Sequence, residues 1–285
     1  MSTRTMTGYE LKLAAPLAGF FALFFLAPLL ILFYVSLHAD PAMIGMAVTQ
    51  YTRFLLDPFS LGVLARTLLL GAEVTLLCLF LGFPLAWIYV RGPGWLRPIL
   101  ILVVLLPLLT SVVVRTFAWI VILGRQGIVN SALMSLGMTD TPLRLLYTEG
   151  GVIVALAQVQ MPLMVLPLIT ALSRIDPNMD DASSALGAGA WRGFWRITMP
   201  LSLPGIIAGS LLTYAAAITA FITQSLVGGG QMLFMPMYIY QQATALQNWP
   251  FAAAISIVFL AAVLAVVSVF NALGRLSRVH ADASA

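Results

Sequence analysis

Long apolar runs separated by short polar connections fill almost the whole chain. Six of them, at about 14–37, 61–90, 98–123, 150–172, 203–227 and 251–274, meet the length of ~20 residues that a spanning helix needs. No polar stretch is long enough for a separate soluble domain. The pattern predicts an all-α, polytopic membrane protein. A spanning domain would occupy 14–275, with a short segment 1–13 before it and a tail 276–285 after it. The first run is much longer than the ~7–15 apolar residues of a signal peptide and has no evident small-residue cleavage site, so it reads as a retained first span.

Basic residues set the orientation. With the N-terminus in the cytoplasm, the inner segments hold Arg4, Lys12, Arg91, Arg97, Arg174, Arg192, Arg196, Arg275 and Arg278. The outer segments hold only Arg53, Arg125 and Arg144, with Arg66 near the edge of the second span. Both termini are therefore expected inside. Pro84, Pro107, Pro162 and Pro167 fall within spans, where each removes a backbone donor and tends to kink its helix.

Composition narrows the function. Hydrophobic residues make up 61% and charged residues 8%, against ~25% charged in a soluble domain. The net charge of +4 comes from topology-setting residues rather than a phosphate-binding face, which argues against nucleic acid. The single cysteine, Cys78, lies in an apolar run and reads as a small core or lipid-facing residue. The single lysine, Lys12, stands outside any glycine-rich loop, so a P-loop is absent. His38 and His280 lie at opposite ends, leaving no zinc cluster and no catalytic triad. The chain is expected to be no enzyme, to hold no metal or cofactor, and to rely on energy supplied by another subunit.

The longest inner connection, Ser173 to about Ser202, has an internal pattern. Asp176-Pro177 is a helix start, with Asp at the cap and Pro at the first helical position. Asp180 and Asp181 follow at the positive end of the helix dipole. Ala182, Ala185, Leu186, Gly189 and Ala190 recur at helical spacing and predict one small apolar face on a helix of about 176–193. A face of Ala and Gly anchors poorly in lipid and suits close docking of another protein.

Asp181-Ala182-Ser183, then Gly187, Ile197 and Pro200, resembles the EAA motif of ABC importer permeases, with Asp in place of Glu and Ser183 in place of the second Ala. The resemblance extends over about 60–270. Pro107-Leu108-Leu109-Thr110-Ser111, Arg115-Thr116-Phe117-Ala118-Trp119 and Gly127-Ile128-Val129-Asn130 look like the spermidine/putrescine-type permeases, and more like the first permease of such a pair. So do Pro204-Gly205-Ile206-Ile207-Ala208-Gly209 and Trp249-Pro250-Phe251. The resemblance implies a type I importer fold in the bacterial inner membrane. It implies a second permease as heterodimer partner, two ATPase subunits that bind ATP and Mg, and a periplasmic or extracellular substrate-binding protein. Asp181, Ala182, Ala185, Leu186, Gly187, Gly189 and Pro200 would then couple to the ATPase.

Polar groups inside spans are candidates for the pathway. Glu73 reads either as a cation-binding or gating group or as the partner of a neighbouring charge, Arg115 being the obvious one. Arg115 itself reads as a pathway residue or as a clamp on carbonyls freed near Pro107. Trp119, Gln158, Gln160, Tyr214, Phe221 and Gln224 complete the set. Tyr214, Ala217, Ile218, Phe221 and Ser225 share a helical face that suits a pore or, more readily, a helix interface. Gly228-Gly229-Gly230-Gln231 reads as a flexible external connector.

The function expected is that of a permease subunit in an ATP-driven importer for a small amine-bearing solute, a polyamine by the resemblance. A stand-alone secondary transporter explains the spans but not the docking segment. An opine or aminophosphonate is the alternative cargo.

Overall fold

The computed structural model of the chain describes residues 8–176, 178–185 and 187–282. Among the described residues every regular element is a helix: α1 (Gly8–Phe21), α2 (Ala27–Ser36), α3 (Thr49–Leu56), α4 (Pro58–Arg91), α5 (Leu96–Leu109), α6 (Val112–Leu123) and α7 (Ile128–Ser135). These are followed by α8 (Glu149–Leu172), α9 (Asn178–Ala185), α10 (Ala190–Gly193), α11 (Met199–Ile218), α12 (Phe221–Val227), α13 (Met235–Tyr240) and α14 (Trp249–Asp282). Six stretches are long and apolar enough to cross a membrane: Ala15–Ser36, Pro58–Arg91, Val112–Ser135, Glu149–Leu172, Trp191–Ile218 and Trp249–Phe270. The expected number of spans is met.

Two spans differ from expectation. The run 98–123 is two helices, because Thr110 and Ser111 are extended between α5 and α6. Pro107 has no amide hydrogen to give the preceding turn. The Thr110 hydroxyl donates back to the Leu106 and Pro107 carbonyls at 3.5 and 3.3 Å, which competes with continuing the helix. The run 203–227 begins earlier, at Met199, and breaks at Thr219–Ala220. There the Thr219 hydroxyl returns to the Ala215 carbonyl at 2.8 Å.

The chain forms two compact units. One comprises the chain up to Leu61 together with Ile239–Ala261. In it α2 is tied to α3 by a 2.6 Å bond between the Ser36 and Tyr51 hydroxyls, and the Arg53 guanidinium lies 4.5 Å over the Phe251 ring. Phe20, Phe24, Phe25 and Leu30 stand outward, as side chains facing lipid do. Asp57 caps the start of α4. Its carboxylate accepts from the Phe59 and Ser60 amides at 3.2 and 3.0 Å and from the Ser60 hydroxyl at 2.6 Å.

The other unit, Gly62–Tyr238 with the chain from Ala262 onward, holds the main core. Leu70, Val74 and Cys78 of α4 pack with Val152, Ala155, Leu156, Met164 and Leu168 of α8 and with Ala217 of α11. Cys78 is buried and gives its thiol hydrogen to the Ala157 carbonyl at 3.3 Å, so it is a core residue, not a lipid-facing one. α8 and α11 approach backbone to backbone. A Cβ on Gly205 would stand 2.5 Å from the Ala171 Cβ, and one on Gly209 would stand 2.9 Å from the Met164 sulfur. Two glycines four residues apart are the device by which membrane helices close up in the absence of a hydrophobic drive.

Candidate functional site

The inner connection between α8 and α11 is shorter-stepped than its periodicity suggests. Asp176 does start the helix: its Oδ1 accepts from the Asn178 amide at 2.9 Å. The helix expected over about 176–193 nevertheless ends at Ala185, and α10 begins only at Ala190. Gly187 is the reason. It adopts φ +79°, and the Ala188 amide donates to the Ser183 carbonyl at 3.0 Å, the six-to-one closure of a helix end. The small residue at 187 thus serves a left-handed turn that an L side chain strains. Gly189 starts α10, its carbonyl accepting from the Arg192 and Gly193 amides. The proposed continuous face is therefore split between two helices. Ala185, Gly187 and Gly189 are exposed, as a docking surface must be. Asp181 and Ala182 lie in α9, but their side chains, like Pro177 and Leu186 altogether, fall outside the described residues.

Beyond α10 the chain widens into a π turn at Phe194–Thr198 and then enters α11, where exposed Pro200 occupies the first turn. Pro200 cannot donate to the carbonyl four residues back, and the wider turn accommodates that. This segment carries an aromatic cluster that the sequence reading missed. Phe194 lies 5.7 Å from Phe83 and 5.9 Å from Trp87, both edge-on, and Trp191 and Trp195 pack around it at 6.1 and 5.4 Å. Arg91 sits 5.8 Å over Trp87. The signal was present as Phe83 and Trp87 one turn apart on α4 and three aromatics in five residues after Ala190. Nothing in one-dimensional spacing joins the two. The cluster ties the docking segment to the inner end of α4. A cleft of about 440 Å³ lies alongside, lined by Arg174, Asp176, Met179, Pro167, Gly205 and their neighbours.

The span residues separate into three groups. Arg115 of α6 is half-buried and reaches back to the Pro107 carbonyl, so it clamps the interrupted end of α5. Gln224 of α12 does the same for α11. It is 1% exposed, and its amide donates to the Ala217 and Ile218 carbonyls at 2.8 and 3.3 Å. α6 and α12 meet through the Thr116 and Thr223 hydroxyls, 3.3 Å apart.

Trp119 and Gln158 form a second group. The indole donates to the Gln158 carbonyl oxygen at 3.2 Å, and both line a largely apolar cavity of about 390 Å³ with Pro107, Leu81 and Met161. Gln160 is buried two residues on, and Tyr214 is buried with its ring 6.0 Å from Phe270. Tyr214, Ala217 and Ile218 are all buried on α11, as a helix interface requires. Phe221 belongs to α12, beyond the break, and is half-buried.

Glu73 stands apart. It is exposed on α4 in a row with Leu69, Leu76 and Phe80, and among the described residues it makes no hydrogen bond or ion pair. The pairing with Arg115, one of the two readings of Glu73, does not occur, because Arg115 is engaged at the α5 break.

Residues 74–278 match the family model of the binding-protein-dependent transport system inner membrane component. The spermidine/putrescine transport system permease protein PotB of Escherichia coli strain K12 is 36% identical over 245 residues, 85% of this chain and 89% of its own. The inner membrane ABC transporter permease protein YdcU of the same organism is 32% identical over 220 residues, 72% of this chain and 69% of its own. Among solved structures, a chain of a bacterial ABC transporter involved in import of the acidic polysaccharide alginate superposes with a TM-score of 0.77. It is 18% identical and covers 94% of this chain and 97% of that one.

Proposed function

The chain belongs to the inner membrane components of binding-protein-dependent transport systems, and from that premise we propose that it forms half of the path for a small polyamine of the putrescine or spermidine kind. It is a multi-pass permease of an ABC importer in the inner membrane and is not itself the enzyme of that system. Its complex includes a periplasmic binding protein and an ATPase. In this reading a second permease completes the path, and two ATPase subunits bind ATP and Mg and seat against the segment from Asp176 to Pro200.

The observation that carries the cargo is the 36% identity to a spermidine/putrescine permease over most of both chains. The likeness to the alginate transporter supports the fold alone and says nothing of cargo. Glu73 supports the same reading. A charged group at mid-bilayer costs at least ~2.5–3.5 kcal/mol and marks a pathway or a partner by default. Facing outward between Leu69 and Leu76, it meets either the second permease or the path between the two. A carboxylate there suits a cationic amine.

Energy reaches it along α4. The Phe83–Trp87–Phe194 cluster grips the inner end of the helix, and Glu73 lies ten to fourteen residues away, ~15–21 Å along the axis. A shift of the docking segment is thereby delivered to the helix that carries the carboxylate. In the assembled importer, Glu73→Gln is expected to raise the half-saturating concentration for spermidine uptake about tenfold. Uptake with an unaltered concentration dependence would contradict the cation-site role. A binding protein that takes an opine or an aminophosphonate and no polyamine would replace the cargo.

A further inference from the structure

The end of α8 opposite the docking segment bears a recess of about 410 Å³ lined by Arg125, Arg144, Tyr147 and Gln231 with three leucines. α8 separates the two ends by 24 residues, ~36 Å, so with the docking segment inside, this recess faces outside. Among the described residues its two cations have no carboxylate partner. Arg144 Nη2 donates to the neutral Gln231 Oε1 at 2.6 Å. Arg125 is exposed and makes no hydrogen bond or ion pair among the described residues. Asp140 and Glu149, the acids of the same connection, pair with neither.

The recess is held rigidly. Asn130 is fully buried and donates to the Gly124 and Leu143 carbonyls, both at 3.0 Å, while its Oδ1 accepts from the Leu143 amide at 2.8 Å. Gly124 and Leu143 immediately precede Arg125 and Arg144, so one side chain sets the backbone under both cations. Tyr147 adopts φ +61°, a left-handed conformation that a bulky residue takes only where its surroundings enforce it. Its amide donates to the Val227 carbonyl at 3.2 Å, and its ring covers Gly229, where a Cβ would stand 2.2 Å away. The turn Gly228–Gly230 is thus a seat for Tyr147 and not a loose connector.

Two guanidinium groups on a tied backbone, with no carboxylate partner among the described residues, repel a polyamine, so the recess does not serve the cargo. They match a carboxylate, to which arginine presents a planar donor fork. In a binding-protein-dependent importer the soluble partner at the outer face is the binding protein. We propose that this recess receives an aspartate or glutamate side chain of the substrate-binding protein and fixes its docking. The inference rests on the topology of the proposed function.

The test is a titration of spermidine-loaded binding protein onto the complete importer in nanodiscs, read as stimulated ATP hydrolysis. The double variant Arg125→Glu/Arg144→Glu is expected to raise the half-saturating binding-protein concentration at least tenfold, with the effect on that concentration and not on the saturated rate. Arg125→Gln/Arg144→Gln is expected to raise it less and to flatten its dependence on NaCl. Lysine substitutions of the binding protein's surface acids, one at a time, are expected to include one that recovers the charge-reversed importer. Unchanged half-saturation in both doubles overturns the proposal. A wild-type importer that the binding protein fails to stimulate overturns the proposed function as well.

Discussion

α5–α6 and α11–α12 are both interrupted helices inside apolar spans, and they are repaired by different chemistry. At the first, Leu109 is 78% exposed and Thr110 and Ser111 are open, and the freed Pro107 carbonyl is met by a cation, Arg115. At the second, Ile218 is fully buried, and the freed carbonyls are met by a neutral amide, Gln224, 1% exposed. The physical reason is desolvation. A guanidinium sealed in a dry core costs far more than a carboxamide, whereas at a half-open break it keeps access to water or to a partner. The α11–α12 joint is thus sealed, whereas the α5–α6 joint is open and borders the Trp119–Gln158 cavity.

Removing the sealed repair gives the largest effect. Gln224→Leu strands the Ile218 carbonyl in the core, the Ala217 carbonyl still receiving the Ala220 amide at 3.4 Å, and is expected to cost about 1–3 kcal/mol, read as a fall in the thermal unfolding midpoint of the detergent-solubilised chain. Arg115→Leu removes one of two side-chain donors to the Pro107 carbonyl, which Thr110 still reaches at 3.3 Å, and about 0.5–1.5 kcal/mol is expected. If transport falls more than stability does in Arg115→Leu, and in proportion to stability in Gln224→Leu, the contrast between open and sealed joints is sharpened. Equal losses in both variants would break it.

A cap in water should weigh least of all. The hydrogen bonds from Ser60 hold the Asp57 carboxyl below its ordinary range. A lowered folded pKa means that the charged form is favoured by folding. The contribution is full above the unfolded aspartate value of ~3.9 and fades as pH falls through the lower folded value. Asp57→Ala should therefore lower the unfolding midpoint slightly at pH 7 and not at all at strongly acid pH. A difference that persists at acid pH would show that the cap does not act through its charge.

Much of this was legible in one dimension, because the bilayer imposes length and polarity on every span. The six spans, the helix start at Asp176 and the absence of a P-loop all follow from residue type and spacing. The Arg115 clamp was one of two open readings, foreseeable because Pro107 lies one span-half away. The breaks at Thr110–Ser111 and Thr219–Ala220 were not legible, since the flanking residues stay apolar and helical periodicity runs through them. The division of the docking segment turned on Gly187, which reads equally as a small docking residue or as a left-handed stop. The Phe83–Trp87–Phe194 cluster joins residues far apart in the chain, and the Asn130 clamp joins irregular backbone six and thirteen residues away, so no periodicity encodes either.

This chain conducts but does not drive. The direct measurement is accumulation of radiolabelled putrescine in proteoliposomes, comparing this chain alone with the chain plus a second permease, the ATPase subunits with ATP, and the binding protein. The expected result is accumulation only in the complete set, lost when ATP is omitted. Accumulation against the gradient by this chain alone would contradict the account.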